Sequence, residues 1–202
     1  MMDIKTIESN YITHNKARCD SDYFLGSICG IWDEKGLMWS SSQGYADLEK
    51  TKPLQGNSVF RMASMTKPIL SCAFMQQVEK GLIDLDTPVS QFLPMYQNMK
   101  VATKIENGQI VSTEDARFPI TPRMILTHSS GVGCGETGLI QGKITGKVAS
   151  LKESVENYAA TVLEFQPGTA ESYSGLWGFD ICARLVEILS GVPYEEYVKK
   201  HI

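Results

Sequence analysis

No stretch of the chain is apolar for long enough to span a bilayer, and Met1-Met2-Asp3-Ile4-Lys5 leads into mixed polar sequence without the apolar core of a secretion signal. The expectation is a soluble, cytoplasmic protein with no membrane span. Basic runs are missing too: Lys and Arg total 19 against 23 Asp and Glu, a formal net charge of -4, and no cluster could track a phosphate backbone. Nucleic acid is therefore excluded as a partner. Cysteine is sparse and unpaired in pattern. Cys19, Cys29, Cys72, Cys134 and Cys182 are odd in number, widely spaced and without a C-x-x-C, which points away from zinc or dithiol chemistry and toward reduced thiols, mostly in the core.

What is present is globular: 202 residues at 43% hydrophobic content can bury one sizeable core or two small ones. Ile4, Ile7 and Tyr11 share a helical face within residues 3 to 18. Tyr23 to Trp32 and Leu37 to Tyr45, flanking Asp33-Glu34-Lys35-Gly36, read as an antiparallel hairpin, and Ser58 to Met62 as a short extended piece. Apolar residues from Ile69 to Val78 cover most of a helix's circumference, so that helix is expected to be buried, with Gly81 at its C-terminal left-handed position. Thr87-Pro88, Thr121-Pro122 and Ser150 with Glu153 read as helix starts. Val101 to Ser112 folds about Asn107-Gly108 as a second hairpin. Ser174 to Ser190 is a long helix with Asp180 and Arg184 paired at i, i+4 and Gly191 ending it, and another begins at Pro193.

Ser64-Met65-Thr66-Lys67 is an S-x-x-K, and on a helical turn that spacing brings a hydroxyl and an amine to the same face. A serine hydroxyl attacks only when a neighbour takes its proton. An amine held partly out of water gives up its own proton more readily and can act as that base. The Ser64 amide, at a helix start, also points toward a developing oxyanion. Pro68 disfavours the helical region for Lys67, so the regular helix is expected to begin at Pro68 after a tighter turn.

Phe60 to Pro68 resembles the nucleophile segment of class C β-lactamases, DD-peptidases and the esterases that share their fold, and S-x-x-K is a signature of that superfamily. The resemblance continues through Gly81 to Val89, then Leu126-Thr127-His128-Ser129-Ser130-Gly131, then Pro167-Gly168-Thr169 ahead of Tyr173-Ser174-Gly175. Four motifs in the family's order make chance an inadequate account.

The resemblance implies an α+β serine β-lactamase-like fold, an antiparallel sheet flanked by helices plus a helical region, with residues 1-62 giving the helix and hairpin of the sheet layer and 63-202 the helical region. It implies an acyl-enzyme on Ser64, with Lys67 and Tyr173 managing protons, a small-molecule ester or amide substrate, and no metal or organic cofactor. Gly175 stands where similar β-lactamases have asparagine, whose amide binds an acylamino side chain, and this favours carboxylic-ester hydrolysis. A β-lactamase or DD-peptidase, and a non-catalytic assembly piece, are the alternatives. The family's histidine in the His128 motif belongs to a structural turn, so a Ser-His triad is not expected. His14 and His201 read as solvated, Trp177 as core, and Lys143-Ile144-Thr145-Gly146 as a chance likeness to the family's K-T-G. That third motif, the C-terminal strands and the second oxyanion donor have no match here. They are expected from a C-terminal portion of the same fold, as a continuation or a separate chain.

Overall fold

The computed structural model describes residues 3–142, 150–175 and 177–202. The chain divides into two compact units, Met1–Arg61 and Met62–Ile202. The architecture is mixed α and β, with helices and, among the described residues, two small sheets.

In the first unit, helix α1 (Ile4–Asp20) starts at Asp3, whose carboxylate accepts from the Lys5 amide at 3.2 Å. That bond satisfies one of the donors a helix start leaves open. Strands β1 (Gly26–Asp33) and β2 (Gly36–Gly44) pair antiparallel, from Gly26 opposite Gly44 to Asp33 opposite Gly36. The Asp33 carboxylate caps the turn by accepting from the Lys35 amide at 2.8 Å, an Asx arrangement suited to a tight reversal. Tyr11 joins helix to hairpin: its hydroxyl bonds the Ser27 hydroxyl at 2.8 Å and its ring meets Trp39 edge-on at 5.6 Å. Trp32, Leu37 and Met38 stay at least half exposed. Ser58 to Met62 forms no strand.

The second unit is built around a buried helix. A 3-10 turn (Ala63–Met65) runs into α2 (Thr66–Glu79), which packs against α6 (Trp177–Ser190). Around α6 also lie α3 (Pro122–Leu126), α5 (Leu151–Ala159) and α7 (Tyr194–His201). With neighbours on several sides, α6 buries Phe179, Ile181, Cys182, Ala183, Leu185 and Val186, as a helix apolar over most of its surface should. Strands β3 (Lys100–Glu106) and β4 (Gln109–Asp115) form the second hairpin, and β5 (Val162–Leu163) adds parallel to β3. Asn107 and Gly108 take φ of 52° and 70° at its turn, the positive pair a two-residue hairpin demands. A short helix, α4 (Gly135–Gln141), lies between α3 and α5.

Several expectations need correction. The regular helix starts at Thr66, two residues before Pro68. Proline is tolerated there because the first-turn amides have no partner within the helix to lose. Burial of α2 is one-sided: Leu70, Ala73, Phe74 and Gln77 are buried, whereas Cys72 is exposed and Ile69 is 36% exposed. Thr87-Pro88 opens only a 3-10 turn (Val89–Gln91). Asp180 does not pair with Arg184. It accepts from the Tyr158 hydroxyl at 3.0 Å, while Arg184 donates to Glu187 at 2.8 Å, because the two side chains face different neighbours. Burial pushes the Asp180 carboxyl up, and the Tyr158 bond opposes that. All five cysteines are free, but only Cys134 and Cys182 are buried. Lys143 to Gly146 lies outside the described residues. Among the described residues no helix is long and apolar enough to cross a membrane.

The start of α5 gives a direct test of the capping argument. The Ser150 hydroxyl accepts from the Glu153 amide at 3.1 Å. Ser150→Ala should lower unfolding free energy by about 1 kcal/mol, and Ser150→Gly by only a few tenths. Urea titration of both variants checks this, and equal losses would refute the capping role.

Candidate active site

Ser64 sits in the 3-10 turn ahead of α2 and is exposed. Ala63, just before it, has φ of 46°, a left-handed conformation that L residues with a side chain seldom adopt. Lys67 lies in the first turn of α2, and its Nζ donates to the Ser64 hydroxyl at 3.5 Å, a long bond. The same ammonium donates to the Gly175 carbonyl at 2.6 Å. It also stands 4.8 Å from the Tyr173 ring centroid and 5.1 Å from that of Phe179, within cation–π range of both. A carbonyl and two ring faces thus hold one cation beside one hydroxyl.

Tyr173 comes from the segment between β5 and α6, 109 residues along the chain from Ser64. Its hydroxyl donates to the Ser64 Oγ at 2.5 Å. The Ser64 hydroxyl first, and then the neighbouring Lys67 ammonium, hold the phenol below its usual range, while burial opposes them. Each of these favours phenolate, the form that can take a proton. The structure brings Ser64, Lys67 and Tyr173 together, with the Lys67 amine and the Tyr173 phenol both hydrogen-bonded to the Ser64 hydroxyl. Such a set can move a proton off serine while keeping the base anchored.

His128 lies against Tyr173. Its Nδ1 accepts from the Ser174 amide at 3.2 Å, and its ring centroid is 4.6 Å from that of Tyr173 and 5.2 Å from that of Phe179. Among the described residues it makes no hydrogen bond to Ser64, so no Ser-His pair is formed. His14 and His201 are exposed.

Beside Tyr173 opens a cleft of about 400 Å³ whose walls include Gly133, Gly135, Gly138, Leu139 and Trp177. Trp177 is buried and stacked on Tyr158 at 4.9 Å, so it is a core residue as expected and a cleft wall as well. Gly133 has φ of 58°, and a Cβ there would come within 2.6 Å of the Trp177 ring. The cleft wall therefore depends on glycine. The Glu164 carboxylate fixes α4 by accepting from the Glu136 and Thr137 amides at 3.2 and 2.7 Å. Sequence analysis assigns no element to Gly135–Gln141, since a seven-residue, glycine-rich helix has little periodicity to show. Among the described residues no cluster of three or more His, Cys, Asp or Glu could hold a metal ion.

The model of the beta-lactamase family matches residues 18–202. The chain therefore belongs to the beta-lactamase family. The acyltransferase calJ of Penicillium decumbens is 33% identical over 82% of this chain and 40% of its own length. The lovastatin esterase of Penicillium rubens is 29% identical over 93% of this chain and 48% of its own. In fold, the chain matches EstCE1, described as a hydrolase with promiscuous acyltransferase activity, at a TM-score of 0.77 and 22% identity, over 96% of this chain and 50% of that one. The chain spans less than half the length of these two curated relatives.

If the Ser64 hydroxyl is the main cause of the lowered Tyr173 titration, Ser64→Ala should move that titration up toward the ordinary phenol value. Lys67→Met should raise it too, as it removes the neighbouring positive charge. NMR of ¹³C-labelled tyrosine Cζ reads the midpoint directly, and a midpoint unmoved by either change would contradict the electrostatic account.

Proposed function

We propose that Ser64 is an acyl-accepting nucleophile and that the reaction is carboxylic-ester hydrolysis through an acyl-enzyme. The observation that carries the reading is the 2.5 Å contact between Tyr173 and Ser64, with Lys67 bonded at the same hydroxyl. In the first half-reaction the phenolate of Tyr173 takes the Ser64 proton as Oγ bonds to the substrate carbonyl carbon. The carbonyl electron pair moves to oxygen, where the Ser64 amide is one stabilising donor. When the tetrahedral centre collapses, the C–O bond to the alcohol breaks, and the alcohol leaves with the proton held by Tyr173. Water then repeats the sequence on the acyl-serine, releasing the acid and restoring Ser64. Lys67 favours the return of Tyr173 to phenolate after each proton is passed on, from its place between the Gly175 carbonyl and the two rings. The second oxyanion donor of this reading comes from a part of the fold outside these residues.

Two further features support an ester over a β-lactam. Gly175 presents no side-chain amide, and the cleft beside Tyr173 is walled by glycines, Leu139 and Trp177, which suit an apolar acyl or alcohol group. A second reading, transfer of the acyl group to an alcohol other than water, draws on the 33% identity to a relative named as an acyltransferase. It uses the same acyl-enzyme and differs only in the second acceptor.

An activated fluorophosphonate should label the protein once, on the peptide carrying Ser64. Labelling that persists in Ser64→Ala would sink the reading. Tyr173→Phe should slow labelling about a hundredfold or more, the usual scale for losing a proton acceptor. Gly175→Asn should shift selectivity from short-chain aryl esters toward cephalosporins by roughly ten- to a hundredfold, the scale of one hydrogen bond in a desolvated site. A native preference for a cephalosporin over every ester tried would move the assignment to a β-lactamase.

A further inference from the structure

We propose that His128 is a positioning residue for Tyr173, clamping the backbone on both sides of the tyrosine and backing its ring so that the phenol meets Ser64. Three separate contacts converge on this one residue. The His128 carbonyl accepts from the Ser172 amide at 3.0 Å, and its Nδ1 accepts from the Ser174 amide at 3.2 Å. Between these two bonds the imidazole face lies against the Tyr173 ring at 4.6 Å and 37°. Tyr173 is 55% exposed, so packing on it comes from few neighbours and each matters more.

The clamp is itself braced. His128 takes φ of 58°, a conformation that turns the chain sharply after α3. Three amide bonds hold that turn to α3: Thr127 to Arg123 at 3.0 Å, His128 to Ile125 at 3.1 Å and Ser129 to Met124 at 2.7 Å. Phe179 of α6 supports the ring at 5.2 Å.

The Ser174 bond sets the chemistry. Nδ1 can accept only while unprotonated, so the neutral ring carries its hydrogen on Nε2. Among the described residues, the charged groups acting on the ring are Lys67 from α2 and Glu171 from the Tyr173 segment, and its ring contact on α6 is the uncharged Phe179. Burial lowers the proton affinity of the ring, Lys67 lowers it further, and Glu171 opposes. The neutral form that the clamp needs is therefore the one its surroundings favour.

The proposal rests on Tyr173 serving Ser64, and the test separates the two claims. ¹³C NMR of Tyr173 and ¹⁵N NMR of the His128 ring are recorded for the full chain, His128→Gly and His128→Asn. Glycine adopts φ of 58° without strain and removes the ring; asparagine also tolerates it, and its side-chain oxygen can accept from the Ser174 amide. The unmodified protein should show His128 neutral with Nε2 protonated at pH 7. In His128→Gly the Tyr173 midpoint should rise toward the free phenol, and fluorophosphonate labelling of Ser64 should slow roughly tenfold or more. His128→Asn should restore most of both. An unmoved Tyr173 midpoint in His128→Gly, or a ring protonated on Nδ1 in the unmodified protein, overturns the proposal, and the tautomer alone decides if His128→Gly does not fold. Absence of labelling in the unmodified protein would sink the catalytic reading while the Tyr173 titration still decided the role of His128.

Discussion

The packing of α2 against α6 is the constraint on which the site depends. Ser64 and Lys67 ride on the start of α2, and Tyr173 and Gly175 lie just ahead of α6, so the distance between the Ser64 hydroxyl and the Tyr173 phenol follows from how these two helices meet. Leu70 and Phe74 on one helix, and Ile181, Leu185 and Val186 on the other, are all at most 5% exposed. Each such side chain contributes roughly 1.5–3 kcal/mol by leaving water, whereas one hydrogen bond contributes a net ~1 kcal/mol. The polar contacts among Ser64, Lys67 and Tyr173 are therefore consequences of an apolar seam and do not create it.

That seam explains why three groups on an open face can still be ordered. Exposed ion pairs and hydrogen bonds are weak because water competes and long side chains wander. Lys67 escapes part of this penalty, since the Tyr173 and Phe179 rings and the Gly175 carbonyl confine its ammonium. Phe179 is buried on α6, which ties the cation to the core through one side chain.

What could be read from sequence follows the range of each interaction. Ser64 and Lys67 are three residues apart, and their shared face is a property of one helical turn. Asn107-Gly108 declares its hairpin for the same reason, because positive φ at both turn residues is a local demand. Tyr173 was found only through the family resemblance, since nothing near it points to Ser64. His128 was read correctly as part of a turn, but its bond to the Ser174 amide spans 46 residues and leaves no local trace. Pro68 failed in a different way. The steric rule for the residue before proline is sound, but at the third position of a helix it competes with a conformation that costs no hydrogen bond. The Asp180 and Arg184 spacing failed because helix-surface pairing applies where both partners face solvent, and here Asp180 turns toward Tyr158.

Gly175 lies beside the Ser64, Lys67 and Tyr173 cluster. Its carbonyl accepts from Lys67, and that function belongs to the backbone and is indifferent to the side chain. A Cβ built at this position meets nothing within 4 Å, and its φ lies outside the left-handed region that favours glycine. Gly133 is the contrast: there a positive φ and the Trp177 ring together require glycine. The fold therefore does not impose the missing side chain at position 175. The bare backbone beside Ser64 therefore bears on the proposed substrate. A polar amide there would carry a desolvation cost whenever a substrate offered it no partner. An apolar acyl or alcohol group makes no such offer, and for that substrate glycine leaves the least unsatisfied.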